Sequence, residues 1–426
     1  MGKKHILILA FLALALLEGT NAHAKASKVG SSKLPNGLEV QEYKLDNGMQ
    51  LLLIPDHTAP VFSYQVWFKV GSATERLDPK LQKTGLAHLF EHMMFRGTKT
   101  VKDFDERISS AGAVGNNATT WLDRTCYFES LPKERLELIF QLEADRMANL
   151  DLDDKLFHDE LGAVIGEYKM DKDKPMRVAF SELWDLAFTK HPYKYDTMGT
   201  IEELHSFKVE EAQYFYKTYY APNNATLILI GDISVPKALA LAEKYYGKYK
   251  SQVIPERIPP VEPEQKEARR KEVTHPLANS EIVLIGYKTP VINHPDGAAL
   301  EVAAAVLSAG ESSLLEQALV QKGIASSVSA SAYKLRYPGL FVIEAQGAPG
   351  KSASEIIKTI HENVDKLIEG KIGEIQVARA KNQFLLSSYN DLDNQTNIVR
   401  QAVHPVQNTG SKKQITILKQ SWTKRI

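Results

Sequence analysis

Apolar and polar positions along this chain read as strands and helices in a grammar that runs twice. VQEYKL and MQLLLI, within Val40 to Pro55, are short β-rich runs on either side of Asp46-Asn47-Gly48, which predicts a hairpin. Val61 to Val70 (VFSYQVWFKV) predicts a further strand, Gly85 to Phe95 a helix and Phe104 to Ala111 a second helix. Ala118 to Leu131 contains a strand that ends at Pro132. Lys133 to Asn149 and Asp153 to Asp171 have the spacing of two long helices, and Val209 to Tyr219 that of an amphipathic one. Ala225 to Ile230 (ATLILI) predicts a buried strand, closed by Gly231-Asp232.

The pattern then breaks. Ile254 to Pro263 (IPERIPPVEP) carries four prolines, which excludes helix or central strand and marks 251–268 as an extended linker. Beyond it the grammar restarts. Strands are expected at Ile282 to Tyr287, Ile324 to Ala332 and Leu340 to Ala345. Helices are expected at Ala298 to Ala309, Ser313 to Gln321, Ser352 to Glu369 and Gly373 to Tyr389. Both halves therefore read as α+β with similar element order, an internal duplication. The first domain is placed at 33–250 and the second at 269–426. The copy is incomplete. Nothing after Tyr389 matches the amphipathic helix and strand that close the first half. From about 402 the chain is basic and weakly patterned, so the second domain lacks its final elements or replaces them with an irregular tail.

Composition narrows the class. With 426 residues, 43% hydrophobic and 24% charged, the chain is an ordinary globular protein of two or three domains. Lys+Arg and Asp+Glu balance at 52 each, and no basic stripe with interleaved aromatics exists, so nucleic acid is not an expected partner. Arg269-Arg270-Lys271 reads as a solvated run. At the start, Lys3 and Lys4 precede the apolar run Ile6 to Leu17, and Ala22-His23-Ala24 offers small residues for cleavage before Lys25. Residues 1–24 read as a secretory signal peptide, too short in its apolar part for a membrane anchor. A periplasmic location is expected, with secretion open and no stable membrane insertion after cleavage. Cys126 is the one cysteine, so no internal disulfide is possible; its TCYF context predicts a buried thiol rather than a nucleophile.

The candidate chemistry lies in Gly85-Leu-Ala-His88-Leu-Phe-Glu91-His92-Met-Met-Phe95. His88 and His92 are four apart and share one helix face, where two imidazoles can hold one zinc ion. Glu91 is on the same face, within reach of a water at the metal, in the HxxEH order. Leu86, Leu89, Phe90, Met93, Met94 and Phe95 surround this trio, which predicts a buried helix. A buried carboxylate with two imidazoles costs several kcal/mol unless a cation accompanies them. A third ligand is needed. Glu160 and Glu167 lie seven apart on one helix face, separated by a small-residue run expected to pack tightly. Read alone, that segment fits a solvated helix edge better than a ligand site.

HLFEHMMFRGT at 88–98, followed by Glu160 and Glu167, resembles the pitrilysin/insulinase family, in particular its smaller subunits such as bacterial zinc proteases and mitochondrial processing peptidase. NNATTWLDRTCYF at 116–128, HPY at 191–193 and FYKTYYAPNNATLILIGDI at 215–233 support the likeness, which covers residues 38 to 395. The resemblance implies one zinc ion held by His88, His92 and Glu167, with Glu91 as the base, and Glu160 behind them, orienting a ligand histidine. It implies that Asn117 and Ala118 lie on an edge strand that pairs with substrate backbone. It further implies two homologous α+β domains, each an antiparallel-rich sheet packed with helices, together forming half of a clam-shell chamber. The expected activity is zinc-dependent endopeptidase action on extended peptides or unfolded segments; the alternative is a non-catalytic structural or partner subunit of the same fold. One departure matters. In Ala318 to Val328 (ALVQKGIASSV), Leu319 and Ser326 occupy the positions of an arginine and a tyrosine found in active relatives. A homologous partner subunit is therefore expected to supply that pair.

Overall fold

The computed structural model describes residues 23–34 and 36–393, and side chains only as far as residue 383. The segment assigned as signal peptide, except for its last two residues, and the tail from about 402 lie outside the described residues.

Among the described residues the first sheet has seven strands: β1 (Ala26–Lys33), β2 (Glu39–Leu45), β3 (Gln50–Pro55), β4 (Val61–Phe68), β5 (Val114–Thr120), β6 (Thr125–Pro132) and β7 (Ala225–Gly231). Their order is β1-β2-β3-β7-β4-β6-β5, antiparallel except where β3 runs parallel to β7. The expected hairpin is β2–β3, with Tyr43 opposite Leu51. Its turn requires glycine: Gly48 has φ +92°, and a β-carbon there would lie 2.7 Å from Asn223 Cβ. Period-two alternation sorts the sheet's two faces. Leu51, Leu53, Tyr64 and Val66 pack on one side, with Phe90, Phe140, Phe157 and Phe215. Leu52, Ile54, Trp67, Cys126, Ile228 and Ile230 pack on the other. Cys126 is buried, as its context predicts.

The strand expected to end at Pro132 is β6; the preceding strand, β5, joined to it at residues 121–124, is one that the hydrophobic pattern does not predict. The turn sequence Trp121-Leu-Asp-Arg contains neither Gly nor Pro, so nothing in the pattern marks it. Among the described residues, nine helices accompany these strands in the first half: α1 (Ser72–Leu77), α2 (Leu86–Met93), α3 (Phe104–Ser110), α4 (Leu136–Asn149), α5 (Asp154–Lys172), α6 (Pro175–Ala187), α7 (Ile201–Ser206), α8 (Val209–Tyr219) and α9 (Val235–Tyr245). The amphipathic pattern predicts α2 to α5 and α8. Helices α6 and α9 open on prolines in their first turn, a start signal that reads as a loop when judged by the Pro alone.

Residues 251–281 form no regular element, so the irregular segment is longer than the expected linker at 251–268. It is not a free tether. The Glu262 carboxylate accepts hydrogen bonds from the backbone amides of Thr189 (2.7 Å), Lys190 (2.8 Å) and His191 (2.8 Å), and from the Thr189 hydroxyl (2.8 Å). The basic run at 269–271 is likewise docked rather than merely solvated. Arg269 donates to the Leu186 carbonyl (2.9 Å) at the end of α6, and Lys271 pairs with Glu182.

The second sheet is smaller: β8 (Ile282–Lys288), β9 (Ala325–Ala332) and β10 (Leu340–Gly347), in the antiparallel order β8-β10-β9. With α10 (Gly297–Ser308), α11 (Ala353–Ile368) and α12 (Glu374–Asp393) it makes a second α+β domain. Its core joins Val283, Leu307, Leu315, Leu319, Ile343, Ile356 and Ile360. The segment Ser313 to Gln321, expected as an ordinary helix, contains a π-helical turn at Glu316–Val320. The domains meet through a mixed cluster in which Leu122, Trp184, Phe188 and Tyr193 contact Leu335, Leu340 and Val342. Among the described residues no helix is long and apolar enough to cross a membrane.

Candidate metal centre

Helix α2 starts where the backbone allows little else. Gly85 has φ +103°, and a β-carbon there would sit 2.7 Å from the Met198 carbonyl oxygen. Glycine has no side chain to cap the first turn. The carboxylate of Glu75 does so instead, accepting from the amides of Gly85 (2.8 Å) and Ala87. Burial pushes the Glu75 carboxyl up, and those two amides pull it back. Leu86, Leu89, Phe90 and Met93 are buried on this helix, and Met94 follows them, as the apolar surround predicts. Helix α5 is capped by Asp153, which accepts from the Leu156 amide (2.7 Å), and it buries Phe157, Glu160, Leu161 and Val164. The small-residue run between the two glutamates does not pack tightly: a β-carbon on Gly162 or Gly166 would meet nothing within 4 Å.

The two helices bring His88, His92 and Glu167 together, with one potential ligand atom from each lying within 4.8 Å of the others. Glu167 Oε2 is 3.6 Å from His88 Nε2 and 3.3 Å from His92 Nε2. The imidazole rings stand edge-on, 4.8 Å apart at 75°. Neither imidazole–carboxylate approach is a hydrogen bond. These two distances are close to the edge of a tetrahedron: bonds of about 2.0–2.1 Å to zinc place ligand atoms roughly 3.3 Å apart. Burial lowers the pKa of His88 to about 4, with the neighbouring His92 adding to the effect. Its ring is therefore neutral at pH 7, the form a metal ligand must take. Two imidazole nitrogens and one carboxylate oxygen, held in this way, fit a zinc ion.

Behind this trio, Glu160 is buried, with its Oε2 3.6 Å from His92 Nδ1 and its other oxygen paired with Arg96. Glu91 accepts a hydrogen bond from the Thr120 hydroxyl, while its Oε2 is buried with no protein partner. Burial pushes the Glu91 carboxyl up; Thr120 and the nearby His92 oppose this. Asn117 and Ala118 lie on β5, the outermost strand of the sheet beside β6. The Ala118 amide donates to Asn117 Oδ1 (2.8 Å).

Thr120, Arg96 and Glu75 are the functional-site neighbours that the pattern did not single out. Arg96 stands one turn beyond His92, a spacing that could have pointed to a partner for Glu160. Nothing local marks Glu75 or Thr120, because their partners are tertiary. Leu319 is fully buried in the second core. Ser326 is exposed on β9, and its hydroxyl donates to the Gln346 carbonyl at 3.2 Å.

The chain belongs to the insulinase family, peptidase family M16: residues 50–201 match that family's model, and residues 206–384 match the model described as the peptidase M16 inactive domain. Zinc protease PqqE of Helicobacter pylori is 30% identical over 387 residues, covering 89% of this chain and 83% of that protein. An uncharacterized zinc protease of Bacillus subtilis, YmxG, is 26% identical over 81% of this chain and 82% of its own length. The mitochondrial cytochrome b-c1 complex subunit 1 of Bos taurus is 28% identical over 70% of this chain and 60% of its own. Among solved structures, a protease from Helicobacter pylori superposes with a TM-score of 0.84 at 26% identity, covering 94% of each chain. Pitrilysin superposes at 0.62 and 20% identity, with 83% of this chain matching 39% of that one, which extends the likeness in fold. The two α+β domains are thus those of the pitrilysin-like clam-shell fold.

Proposed function

We propose that this chain is a zinc-dependent endopeptidase acting on extended peptides or unfolded protein segments. The observation that carries the reading is the convergence of two imidazoles and a carboxylate within 4.8 Å of one another, beside a buried carboxylate oxygen with no protein partner. In this reading His88, His92 and Glu167 hold one zinc ion. When bound, zinc supplies Lewis acidity to the scissile carbonyl and makes water a better nucleophile near neutral pH. Glu91 takes a proton from the attacking water and delivers it to the leaving amine. Its raised affinity for protons, from burial, suits a base that must also act as an acid. Glu160 holds the His92 ring in place while Arg96 fixes Glu160. The outer edge of β5, at Asn117 and Ala118, receives the substrate backbone as an added strand, which reads extended chain rather than side-chain sequence.

The second domain completes no such site by itself. Leu319 and Ser326 offer neither a cation nor a phenol toward a developing oxyanion. We read this as dependence on a homologous subunit that brings an arginine and a tyrosine. The apolar run at 6–17 supports export, with the periplasm as the working location. A second reading, a non-catalytic partner subunit, draws on the same two residues.

The test is zinc analysis and a generic peptide assay on native protein and on Glu91→Gln, with and without a co-purified partner. The expected outcome is one zinc per chain in both proteins, with turnover lost in the variant by about 10²–10⁴-fold or more. Undiminished turnover in Glu91→Gln removes Glu91 from its role. Native protein that holds zinc yet never cleaves peptide, with or without its partner, favours the second reading.

A further inference from the structure

The two ligand-bearing helices, α2 and α5, are held to each other at a second place, away from the imidazoles. Arg177, in the first turn of α6, donates from Nε to Asp171 Oδ2 at 3.1 Å and from Nη2 to Asp196 Oδ1 at 2.8 Å. Asp171 stands four residues after Glu167 on α5, one turn along the same face. Asp196 is fixed in turn by the Met198 amide (2.9 Å) and by the Ser181 hydroxyl. The loop that follows touches the start of α2 backbone to backbone. A β-carbon on Gly199 would lie 2.2 Å from the Thr84 carbonyl oxygen, and one on Gly85 would lie 2.7 Å from that of Met198. The Thr84 amide and hydroxyl also donate to Glu203, at the head of α7. A continuous path therefore runs from Glu167 through Asp171, Arg177, Asp196 and the 196–199 loop to the turn that begins the helix of His88, Glu91 and His92.

We infer that Arg177 is a positioning residue: its two-pronged bond to Asp171 and Asp196 sets the distance between the Glu167 carboxylate and the two imidazoles. This rests on the zinc reading above. A planar guanidinium suits the task, since its nitrogens bond two carboxylates at fixed angles, which an ammonium does not do. The three side chains are mostly shielded, at 28%, 18% and 16% exposure, so the pairing is screened less than a surface bridge. Lys174 also reaches Asp171 (2.8 Å), but from an exposed position, and it contacts no part of the 196–199 loop in this way.

Charge alone argues in the opposite direction, which makes the inference testable by sign. Arg177 is a cation near enough to be felt at His88, where it disfavours a further positive charge, while Asp171 and Asp196 favour one. By electrostatics, removing Arg177 would tighten the hold on a divalent cation. By the positioning argument it loosens that hold, because the carboxylate and the imidazoles lose their common frame.

The experiment is competition of full-length native protein, Arg177→Met and Arg177→Lys against a chromophoric chelator for zinc. The visible spectrum of the cobalt(II) form and thermal unfolding of the metal-free proteins are recorded alongside. Arg177→Met is expected to bind zinc about 10–100-fold more weakly, with an altered cobalt spectrum. Arg177→Lys, which keeps the charge but not the fork, is expected to recover part of the loss. Should Arg177→Met fail to fold, Arg177→Lys decides: several-fold weaker zinc binding supports the assignment, and native affinity overturns it. Zinc binding by Arg177→Met as tight as native, or tighter, also overturns it while leaving the zinc site intact. Native protein that binds no zinc brings down the metal reading and this inference together.

Discussion

Helix α2 and the π-helical turn at Glu316–Val320 are both sunk into a domain core, and they are filled in opposite ways. Helix α2 buries atoms that the protein leaves without partners, among them His88 Nδ1 and Glu91 Oε2. The π-helical turn buries Leu319, packed against Leu315, Ile343 and Ile356. A π turn inside a helix is frequently a mark of function, yet here it presents hydrocarbon to a closed core. On α2, polar groups are held at an energetic disadvantage that a ligand can relieve; among the described residues, no side-chain polar atom of Glu316–Val320 is buried without a partner. The convergence of unsatisfied polar atoms on one place, more than the helix geometry, distinguishes α2 from the π-helical turn.

The contrast can be broken most forcibly at His88. His88→Ala is expected to eliminate stoichiometric zinc while the protein stays folded, as read by metal analysis beside circular dichroism; retained metal would contradict the ligand assignment. Next comes the second core. Leu319→Arg writes the residue of active relatives into a fully buried position, and is expected to cost more than about 3 kcal/mol in urea unfolding. Ser326→Tyr, on an exposed position, should stay within about 0.5 kcal/mol. If Leu319→Arg were tolerated, the turn would be less closed than its packing implies.

A smaller effect is expected at the linker. Burial alone would raise the Glu262 carboxyl, but the amides of His191, Lys190 and Thr189 and the Thr189 hydroxyl outweigh it and hold the pKa at about 2. Because the folded value is depressed, this contact stabilises the protein fully above the unfolded carboxylate value of about 4.3. The benefit fades as pH falls from there through about 2. Glu262→Gln should therefore cost about 1 kcal/mol at pH 7, after allowance for solvent, and almost nothing at pH 2. A pH-independent difference in unfolding free energy would rule this out. The smallest change is a gain. Gly162→Ala and Gly166→Ala, in open space on α5, should each stabilise by about 0.5–1 kcal/mol in thermal or urea unfolding, with no change in zinc content.

Much of this was legible in the chain. Hydrophobic periodicity marks β2, β3, β4 and β7 because their alternate residues feed two separate apolar layers, and it marks α2 because one flank is unbroken hydrocarbon. The i, i+4 spacing of His88 and His92 places both on one face without reference to the rest of the protein. Local spacing could not show which glutamate of α5 meets them. Glu160 and Glu167 share a face, and only the packing of α5 on α2 sends Glu160 under His92 and Glu167 to both rings. The β5–β6 turn escaped because Trp121 to Arg124 holds there through tertiary contacts, with Trp121 stacked on Tyr333, edge-on to Trp184 and tilted against Phe180. The docking of Glu262 and Arg269 escaped for a related reason: a Pro-rich stretch reports that it is extended, and says nothing of what it lies against.

The parallel pairing of β3 with β7 sets Leu51 beside Leu227 and Ile54 beside Ile230. Strand β7 is the bridge between the β1–β2–β3 meander and the β4–β6–β5 half of the sheet. Until residue 231 has left the ribosome, neither half has its neighbour, and the inner hydrogen-bonding edges of β3 and β4 stay unpaired. Contacts so distant in sequence close slowly and leave partly built sheets prone to sticking. The nascent chain therefore has a long vulnerable interval, in which a holding chaperone would have the most to protect.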